Sequence, residues 1–600
     1  MLLAGLKRLE YRGYDSAGVA VVSTTNGIQH AKRAGKLKVL VDELERHPLP
    51  SGYTGIAHTR WATHGAPNDL NAHPHLADGG RLALIHNGII ENFQELREEL
   101  AEHDIVCVSE TDSEVAAHLV ALDYQDCGDL TEALRRTVNR LEGAFTLLIT
   151  HEDHPGVVVG ARRNSPLVVG LGEGENFLAS DVAAFVEYTR TALALGQDEI
   201  VTITPEKVSV IDFSGNPVHT EPFSIDWDAS AAEKGGWSSF MAKEITEEPD
   251  AVANTLRGRL HSNGEVELEG LSQVLQDRAI HRVMFIACGT AAYAAMVGAY
   301  ALEQWAKIPA TVELSHEFRY REPAVDQHTL VVSVSQSGET MDTLMAVRYA
   351  AEQGATTLSI CNTQGATIAR ESDAVVYTHA GPEVAVASTK AFVAQIAASY
   401  LVALFFAARQ GALSAELRAE IAGDLLEAPE KMTAMLEAGE RITELAHWMA
   451  DTRSVLYLGR HVGYPVALEG ALKLKELAYI HAEGFAAGEL KHGPIALIEP
   501  GQIVFVVVPS PRESSLLHSK VVSNIQEIRA RGARVIALAE RGDAAVLPFA
   551  DEVIARPPVG QWAEPFLTVM PLHMFGMELA SAKGLDIDQP RNLAKSVTVE

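Results

Sequence analysis

In the second half of the chain, hydrophobic residues cluster into short continuous runs, and a polar turn and an amphipathic stretch follow such a run. The run at residues 330–334 is apolar and β-branched, which is typical of a buried parallel strand. A Ser-Gln-Ser-Gly turn follows at 335–338, and apolar residues at helical spacing occupy 340–351. This pattern predicts a strand, a hydroxyl-rich turn and a helix, in that order.

The same pattern occurs twice. Runs at 283–287 and 455–459 begin the two units, and the next strand starts 48 residues later in both, at Val331 and at Ile503. A third and a fourth strand also match, at 357–360 and 373–376 in one unit and at 535–538 and 551–554 in the other. The repeat predicts two tandem α/β units with parallel sheets, joined by a helical connector over 414–449.

The first part of the chain has a different pattern, with many short strand-like runs and only two clear helices, at 92–101 and 113–121. The runs are 18–22, 55–58, 82–85, 146–149, 156–160 and 166–170. We predict an α+β domain with packed sheets. A polar stretch over 226–258 is interpreted as a linker that leads into a helix. The apolar run 391–408 contains Gln395 and Ser399, which favours a buried core helix over a membrane span.

Composition narrows the possible partners. A net charge of −30 argues against a nucleic-acid or anionic-membrane surface. Four cysteines in 600 residues are too few for a disulfide framework, and no signal peptide begins the chain, so we expect a cytoplasmic protein. The 23 histidines are scattered and His73-Pro-His75 offers too few ligands, so neither a metal nor a cofactor is expected.

The turn at 335–338 has the features of an anion site. Backbone N–H groups at a helix start are unpaired, the helix dipole favours negative charge, and hydroxyl groups add donors. A phosphate group is the natural ligand. The alternative is a capped turn that binds nothing. The P-loop signature is absent, so a nucleoside triphosphate is not indicated.

Taken together, the tandem units, the turn and the first part resemble the isomerizing glutamine–fructose-6-phosphate aminotransferases, the glucosamine-6-phosphate synthases. The first half resembles their class II, N-terminal-nucleophile glutaminase domain, and the second half their pair of sugar isomerase (SIS) domains. The resemblance covers essentially all 600 residues. It implies the division 1–225 glutaminase, 226–270 linker, 271–412 first SIS domain, 413–445 connector, 446–589 second SIS domain and 590–600 catalytic tail.

The resemblance implies a sugar-phosphate site in the second half. Its residues would be Thr290, Ser335, Gln336, Ser337, Thr340, Val386, Ser388 and Ala594. One position departs from the family pattern, because Ala291 stands where Ser is usual.

The resemblance also implies catalytic residues. Lys473 and Glu476 lie three apart on one helix face, where a carboxylate could carry a proton between adjacent sugar carbons. A solvated ion pair is the structural alternative. His492 would help open the sugar ring in the neighbouring subunit of a homodimer. Lys595 would form a Schiff base with the ketose, although a tail position alone would predict fraying.

In the first half, several motifs resemble the glutaminase site. Arg60 and Asp112 would bind the charged ends of glutamine, and the Asn87 side chain with the Gly88 N–H would form the oxyanion hole. The remaining members of the implied glutamine site are Trp61, which would gate ammonia passage, and Thr63, His64 and His73.

One part of the family pattern is absent from the printed sequence. The family's chains begin Cys-Gly-Ile-Val-Gly, and the cysteine α-amine acts as the base, whereas this sequence begins at Met1 in a stretch that predicts a helix. We interpret this as a truncated or mis-assigned start rather than a lost function. For the sequence as printed, isomerisation or ammonia-dependent amination without glutamine hydrolysis is the expectation.

The function implied is the formation of glucosamine 6-phosphate from fructose 6-phosphate and glutamine. A non-catalytic sugar-phosphate sensor is the alternative, and it would need the anion turn but not Glu476, His492 or Lys595. Other class II amidotransferases lack tandem SIS units, which argues against them.

Overall fold

The computed structural model describes residues 1–23, 25–61, 64–225 and 233–598. They form two compact units. The first comprises Met1–Ala232 with Glu339–Met341 and Ala594–Glu600, and the second comprises Glu233–Gly338 and Asp342–Leu593.

The first unit is an α+β fold with three antiparallel sheets. Its helices are α1 Leu2–Leu9, α2 Leu37–Arg46, α3 Phe93–Glu102, α4 Asp112–Cys127 and α5 Leu130–Val138. Its strands are β1 Ser16–Ser23, β2 Gly27–Ala34, β3 Thr54–Arg60, β4 His75–Ala77, β5 Leu82–Ile90, β6 Gly143–His151, β7 Val158–Arg163, β8 Val168–Leu171, β9 Asn176–Ala179, β10 Thr191–Ala194, β11 Glu199–Ile203, β12 Val208–Asp212 and β13 Phe223–Ser224.

Those sheets have the orders β2-β1-β3, β13-β10-β8-β9 and β12-β11-β7-β6-β5-β4. The predicted helix at the start of the chain is confirmed as α1, and the two clear helices are α3 and α4. The sequence analysis missed α2 and α5. Both are amphipathic helices of nine or ten residues. α2 buries Leu37 and Leu40, and α5 buries five residues that include Leu130 and Leu134, so the apolar spacing was present in the sequence and was overlooked.

The second unit contains two five-stranded parallel sheets. The strands are β14 Arg282–Ala287, β15 Ala310–Leu314, β16 Thr329–Ser335, β17 Thr356–Cys361, β18 Ala374–Tyr377, β19 Ser454–Gly459, β20 His481–Ala486, β21 Ile503–Val507, β22 Arg534–Glu540 and β23 Glu552–Arg556. The helices are α6 Phe240–Thr246, α7 Glu248–Leu256, α8 Glu269–Val274, α9 Gly289–Ala306, α10 Ser315–Phe318, α11 Met341–Glu352, α12 Thr367–Glu371, α13 Lys390–Gln410, α14 Ala415–Thr433, α15 Gly439–Trp448, α16 Gly463–Lys473, α17 Ser515–Arg529 and α18 Glu564–Ala582.

The sheets have the matching orders β15-β14-β16-β17-β18 and β20-β19-β21-β22-β23, which confirms the predicted repeat. Each sheet has one edge strand, β15 or β20, that the sequence analysis did not predict. Both are only partly buried, so they lack the continuous apolar run that marks the inner strands.

The apolar segment at 391–408 lies in α13, which packs against α9 and α7 in the core of the second unit. Among the described residues it is the one helix long and apolar enough to cross a membrane, but 89% of that window is buried inside the protein. The prediction of a core helix is confirmed.

Candidate active site

The strand order of each parallel sheet indicates where a ligand would bind. In the first repeat the order reverses between β14 and β16, and parallel sheets bind ligands beyond the carboxyl ends of the strands at such a switch point. Cys288-Gly289-Thr290 follows β14, and Ser335-Gln336-Ser337 closes β16. The sequence-predicted anion turn therefore lies where this topology favours a ligand.

Two hydrogen bonds and a glycine shape the turn itself. The Gly338 N–H donates to the Ser335 hydroxyl over 3.0 Å, and the Gly338 carbonyl accepts from the Ile368 N–H over 2.9 Å. Gly338 has a φ of +65°, and an added Cβ would lie 2.5 Å from the Ala366 Cβ. Only glycine fits there, so the chain can turn sharply into α11 with Ser335 and Ser337 largely buried.

Close to the same strand ends lies a buried lysine, Lys473, at the end of α16. Its ammonium donates to the Thr290 hydroxyl over 3.2 Å and to Glu476 over 2.6 Å, and it lies 3.2 Å from Glu469. Burial opposes the charged ammonium, but Glu469 and Glu476 outweigh it and raise the pKa of Lys473. The pair is therefore a buried network, and the alternative of a solvated ion pair is ruled out for Lys473, whose side chain is fully buried.

A second buried ion pair lies behind Glu469. His573 of α18 is paired through Nδ1 with Glu248 at 2.7 Å, and its Nε2 lies 3.5 Å from Glu469. Burial alone would lower the pKa of His573, yet the two carboxylates raise it to about 9. All three side chains are fully buried.

Hydrogen bonds to the Glu383 carboxylate and to a backbone carbonyl hold the loop that contains Val386 and Ser388. Glu383 accepts the Ser388 hydroxyl at 2.9 Å and the N–H groups of Thr389 and Ala391 at 2.9 and 3.0 Å. The Val386 N–H donates to the Asp588 carbonyl over 3.0 Å. These bonds hold the loop backbone rigidly, as a contact surface for a small ligand requires.

His492 differs from the residues above because it is exposed, at the end of a 3₁₀ helix, Ala487–His492. Its neighbour Lys491 pairs with Glu527 at 2.7 Å, and Leu497 just beyond is 51% exposed. The structure does not bring His492 into the Lys473 network.

Lys595, Ala594 and Thr340 belong to segments that pack with the first unit. The Lys595 N–H donates to the Tyr11 carbonyl over 3.4 Å, and the Met341 N–H donates to the Val597 carbonyl over 3.0 Å. Within the described part of the tail, Ser596 is buried, which differs from the fraying that a tail position alone would predict.

In the second repeat, the turn after β21 pairs with buried carboxylates. Glu564 accepts the Ser510 N–H at 2.6 Å and pairs with Arg556 at 2.8 Å, and the Ser510 hydroxyl donates to Glu540 over 2.9 Å. The turn after β21 thus pairs with carboxylates, so a bound anion would meet negative charge there. The two repeats share a fold but differ in the side chains at this turn.

The first unit contains a cavity of about 650 Å³. Six of the implied glutamine-site residues line it, together with Ser113: Arg60, Trp61, His73, Asn87, Gly88 and Asp112. His64 is not among the lining residues, and its ring packs against Phe93. Thr63 lies outside the described residues.

Arg60 and Asp112 are both almost fully buried. Arg60 donates to the carbonyls of His64 and Gly65, and burial lowers its pKa, partly offset by Asp112. Asp112 accepts the Ile90 N–H at 2.9 Å. A buried guanidinium and a buried carboxylate on one cavity wall suit a zwitterionic ligand.

Asn87 and Gly88 lie on β5. The Asn87 amide oxygen is 2.8 Å from His58 Nε2. Gly88 has a φ of +125°, and an added Cβ would lie 2.0 Å from the Ala144 carbonyl oxygen, so this position tolerates only glycine.

Sequence reasoning missed several members of both sites. A group of buried histidines surrounds Ser113, whose hydroxyl lies 2.9 Å from both His73 Nε2 and His86 Nδ1. Among the described residues, no group of three or more His, Cys, Asp or Glu side chains could hold a metal ion. In the second unit, Glu469 was detectable as the residue one turn before Lys473. His573 and Glu248 are 325 residues apart, and no local signal connects them.

The chain matches two family models. Residues 278–405 and 449–580 match the SIS domain, and residues 58–187 match a glutamine amidotransferase domain. The matches agree with the predicted fold class, a glutaminase domain followed by two SIS domains.

Two relatives that match over the full length of the chain carry the same name. The chain is 69% identical to the glutamine–fructose-6-phosphate aminotransferase (isomerizing) of Leifsonia xyli subsp. xyli, over 100% of this chain and 98% of the relative. It is 59% identical to the protein of the same name from Streptomyces coelicolor, with the same coverage.

A solved structure supports the same assignment for the second unit. The C-terminal domain of glucosamine-fructose-6-phosphate aminotransferase from Francisella tularensis superposes with a TM-score of 0.56 at 36% identity, covering 60% of this chain and 100% of that one. By full-length identity, domain content and fold, the chain belongs to the isomerizing glutamine–fructose-6-phosphate aminotransferase family.

Proposed function

We propose that the second unit binds fructose 6-phosphate at the switch point of its first repeat and converts it to glucosamine 6-phosphate there. The observation that carries this proposal is Lys473, a fully buried ammonium that contacts Glu469, Glu476 and Thr290, the last of which follows β14 at the switch point. The turn holds the phosphate together with Thr340 and Gln336, and the loop at Val386 and Ser388 contacts the sugar.

The chemistry assigns one role to each catalytic residue. The Lys595 amine condenses with the C2 carbonyl of the open sugar and releases water, and the resulting imine is exchanged for one carrying the incoming nitrogen. Glu476 then removes a proton from C1 and delivers it to C2, which moves the carbonyl to C1. Lys473 stabilises the Glu476 carboxylate, and Ala594 positions the tail.

The first unit is proposed to bind glutamine in its cavity. Arg60 and Asp112 hold the charged ends, Asn87 and the Gly88 N–H stabilise the oxyanion, and Trp61, Thr63, His64 and His73 shape the site. Support comes from the cavity that Arg60, Asp112, Asn87 and Gly88 line together.

We also propose a cytoplasmic homodimer in which His492 acts in the partner's site. Support comes from the exposure of His492 beside Leu497, and from four cysteines that are all free thiols. The sensor alternative has no support, because a sensor has no need of a buried lysine shared by two carboxylates.

Borohydride trapping tests the proposed reaction. Treatment of the chain with fructose 6-phosphate and borohydride should reduce the imine to a stable adduct, and mass spectrometry of the C-terminal peptide should locate it on Lys595. Lys595→Arg should abolish trapping, while the exposed control Lys583→Arg should retain it. An adduct on Lys473 or Lys390 instead would overturn the assignment.

Glu476→Gln separates the two steps. The variant should still form the Lys595 adduct but lose isomerisation, since a neutral amide cannot accept the C1 proton. Glu483→Gln, an exposed position on β20, serves as the matched control. Full isomerisation by Glu476→Gln would assign the proton transfer to another group.

A further inference from the structure

The buried lysine of the second unit is shared between two carboxylates. Lys473 Nζ lies 2.6 Å from Glu476 and 3.2 Å from Glu469, and Glu469 is fully buried while Glu476 is 21% exposed. A fully buried carboxylate needs a counter-charge, because the interior solvates it poorly. With no other cation nearby, Glu469 would draw Lys473 away from Glu476.

A second cation is present on the far side of Glu469. His573 Nε2 lies 3.5 Å from the same Glu469 oxygen that Lys473 approaches, and Glu248 holds Nδ1 at 2.7 Å. Glu248, His573, Glu469, Lys473 and Glu476 form a continuous line, called here the buried charge row. It joins α7, α18 and α16 to the Leu474–Ala478 turn of π-helix.

The charges along this row alternate in sign. Its five members are three carboxylates and two cations, so every cation lies between two carboxylates. Glu383 is a further carboxylate whose field acts on Glu248, and the Phe392 ring packs edge-on against His573. Gly576 of α18 lets Lys473 approach, because an added Cβ there would lie 3.2 Å from the Lys473 Cβ. Phe392 and Gly576 therefore pack directly against the two cations of the buried charge row.

We propose that His573 and Glu248 are positioning residues for isomerisation: His573, held in its charged form by Glu248, neutralises Glu469 so that Lys473 stays paired with Glu476. Lys473 then keeps its 2.6 Å contact with the Glu476 carboxylate, which accepts the C1 proton. This inference rests on the proposed role of Glu476 and extends it to two residues that touch no substrate.

The test is the pH dependence of kcat for converting fructose 6-phosphate to its aldose isomer, measured on the full chain. In His573→Gln and Glu248→Gln the positive charge beside Glu469 is lost, so Glu469 draws Lys473 toward itself and away from the Glu476 carboxylate. The acid limb of the profile should move to higher pH by roughly half to one unit, with KM changed less than about twofold.

Glu248→Gln keeps an acceptor for the His573 N–H and removes only the charge, so it preserves the packing of the His573 ring against Phe392, which His573→Gln removes. The matched control is His261→Gln, whose exposed ring pairs with Glu267 at 2.9 Å away from the row. The control should show the profile of the unsubstituted chain.

Two results would overturn the inference. One is an unmoved acid limb with unchanged kcat in folded Glu248→Gln, and the other is a uniform fall in kcat at every pH, which is the signature of a packing role alone. Failure of the proposed function would look different. In that case Glu476→Gln itself would isomerise normally, whatever the two positioning variants did.

Discussion

At the scale of single residues, the second unit contains a buried positive charge, the ammonium of Lys473. The Lys473 side chain is fully buried, and its ammonium contacts Glu469, Glu476 and the Thr290 hydroxyl. A buried ion pair contributes little compared with an apolar replacement, but loss of one partner leaves an unpaired charge in a medium of low polarity. The network therefore constrains the site more than it stabilises the fold.

Lys473→Met should lower the free energy of unfolding of the second unit by about 3–5 kcal/mol, because Glu469 keeps its burial and loses its closest cation. Urea unfolding followed by tryptophan fluorescence measures the change. Lys431→Met is the matched control, since Lys431 forms a surface pair with Glu427. Equal effects of the two substitutions would show that the buried network carries no special cost.

Gly338→Ala should weaken binding of fructose 6-phosphate. Both Gly338 and Gly411 have φ near +60°, which costs alanine about 1–2 kcal/mol at either position. Only Gly338 also faces a clash, with the Ala366 Cβ and the Cys361 sulfur within 2.6 Å, whereas nothing lies within 4 Å of Gly411.

Calorimetric titration with fructose 6-phosphate should therefore show a fall in affinity for Gly338→Ala and none for Gly411→Ala. The same affinity in both variants would place the phosphate away from the turn.

At the scale of elements, the cavity of the first unit is built where β3, β4 and β5 bring four histidines together. His58, His73, His75 and His86 are all less than 10% exposed, and the His58 and His73 rings lie 4.3 Å apart. Burial lowers the pKa of each, to about 4 for His58 and about 3 for His75. Neutral rings can pack in this way, but protonated rings would repel each other.

This cluster should make the first unit sensitive to acid. Folded-state pKa values below the unfolded value near 6.5 mean that the unfolded chain binds protons first as the pH falls. The stability contribution is complete above about pH 6.5 and is lost below it, at about 1.4 kcal/mol per pH unit for each histidine until the folded pKa is reached.

Urea unfolding of the first unit between pH 7 and pH 5 measures this slope. His75→Gln should reduce it by about one histidine's share, and His219→Gln, whose ring is 87% exposed, should leave it unchanged. A slope that stays the same in His75→Gln would mean that His75 does not titrate on unfolding.

At the scale of the whole molecule, the chain combines two units with separate cores and chemistries. One is an antiparallel α+β fold with a cavity, and the other contains two five-stranded parallel sheets. The tail segment Ala594–Glu600 and the segment Glu339–Met341 belong to the first unit although the chain reaches them from the second. Among the described candidate site residues, His492 is exposed to solvent. A catalytic residue on the surface can act in the site of a second subunit, which is why we propose a dimer.

Mixed dimers test whether His492 acts across subunits. A dimer that combines Glu476→Gln in one chain with His492→Asn in the other contains one fully intact site only if His492 serves its partner. Random mixing of the two inactive variants should then restore about a quarter of the unsubstituted activity, because half of the dimers are mixed and each has one working site. No recovery would place His492 in the site of its own chain or outside the chemistry.

The sequence determined the repeat, the buried strands and the anion turn, because each of these depends on residues that are adjacent in the sequence. A continuous apolar run specifies an inner parallel strand, and Ser-Gln-Ser-Gly between a strand and a helix specifies the turn. The family motifs likewise placed Arg60, Asn87 and Asp112, which line one cavity in the structure.

Tertiary structure alone decided what surrounds those residues. The edge strands β15 and β20 carry no strong periodicity, so only pairing with β14 and β19 defines them. Glu248, His573 and Glu469 come from three helices and meet only when the sheets and helices pack. Whether a Lys–Glu helix pair is solvated or buried depends on the helix laid over it, and Gly576 of α18 is what allows Lys473 to be enclosed. Long-range packing sets burial, and burial decides whether an ionisable side chain is a surface charge or part of a site.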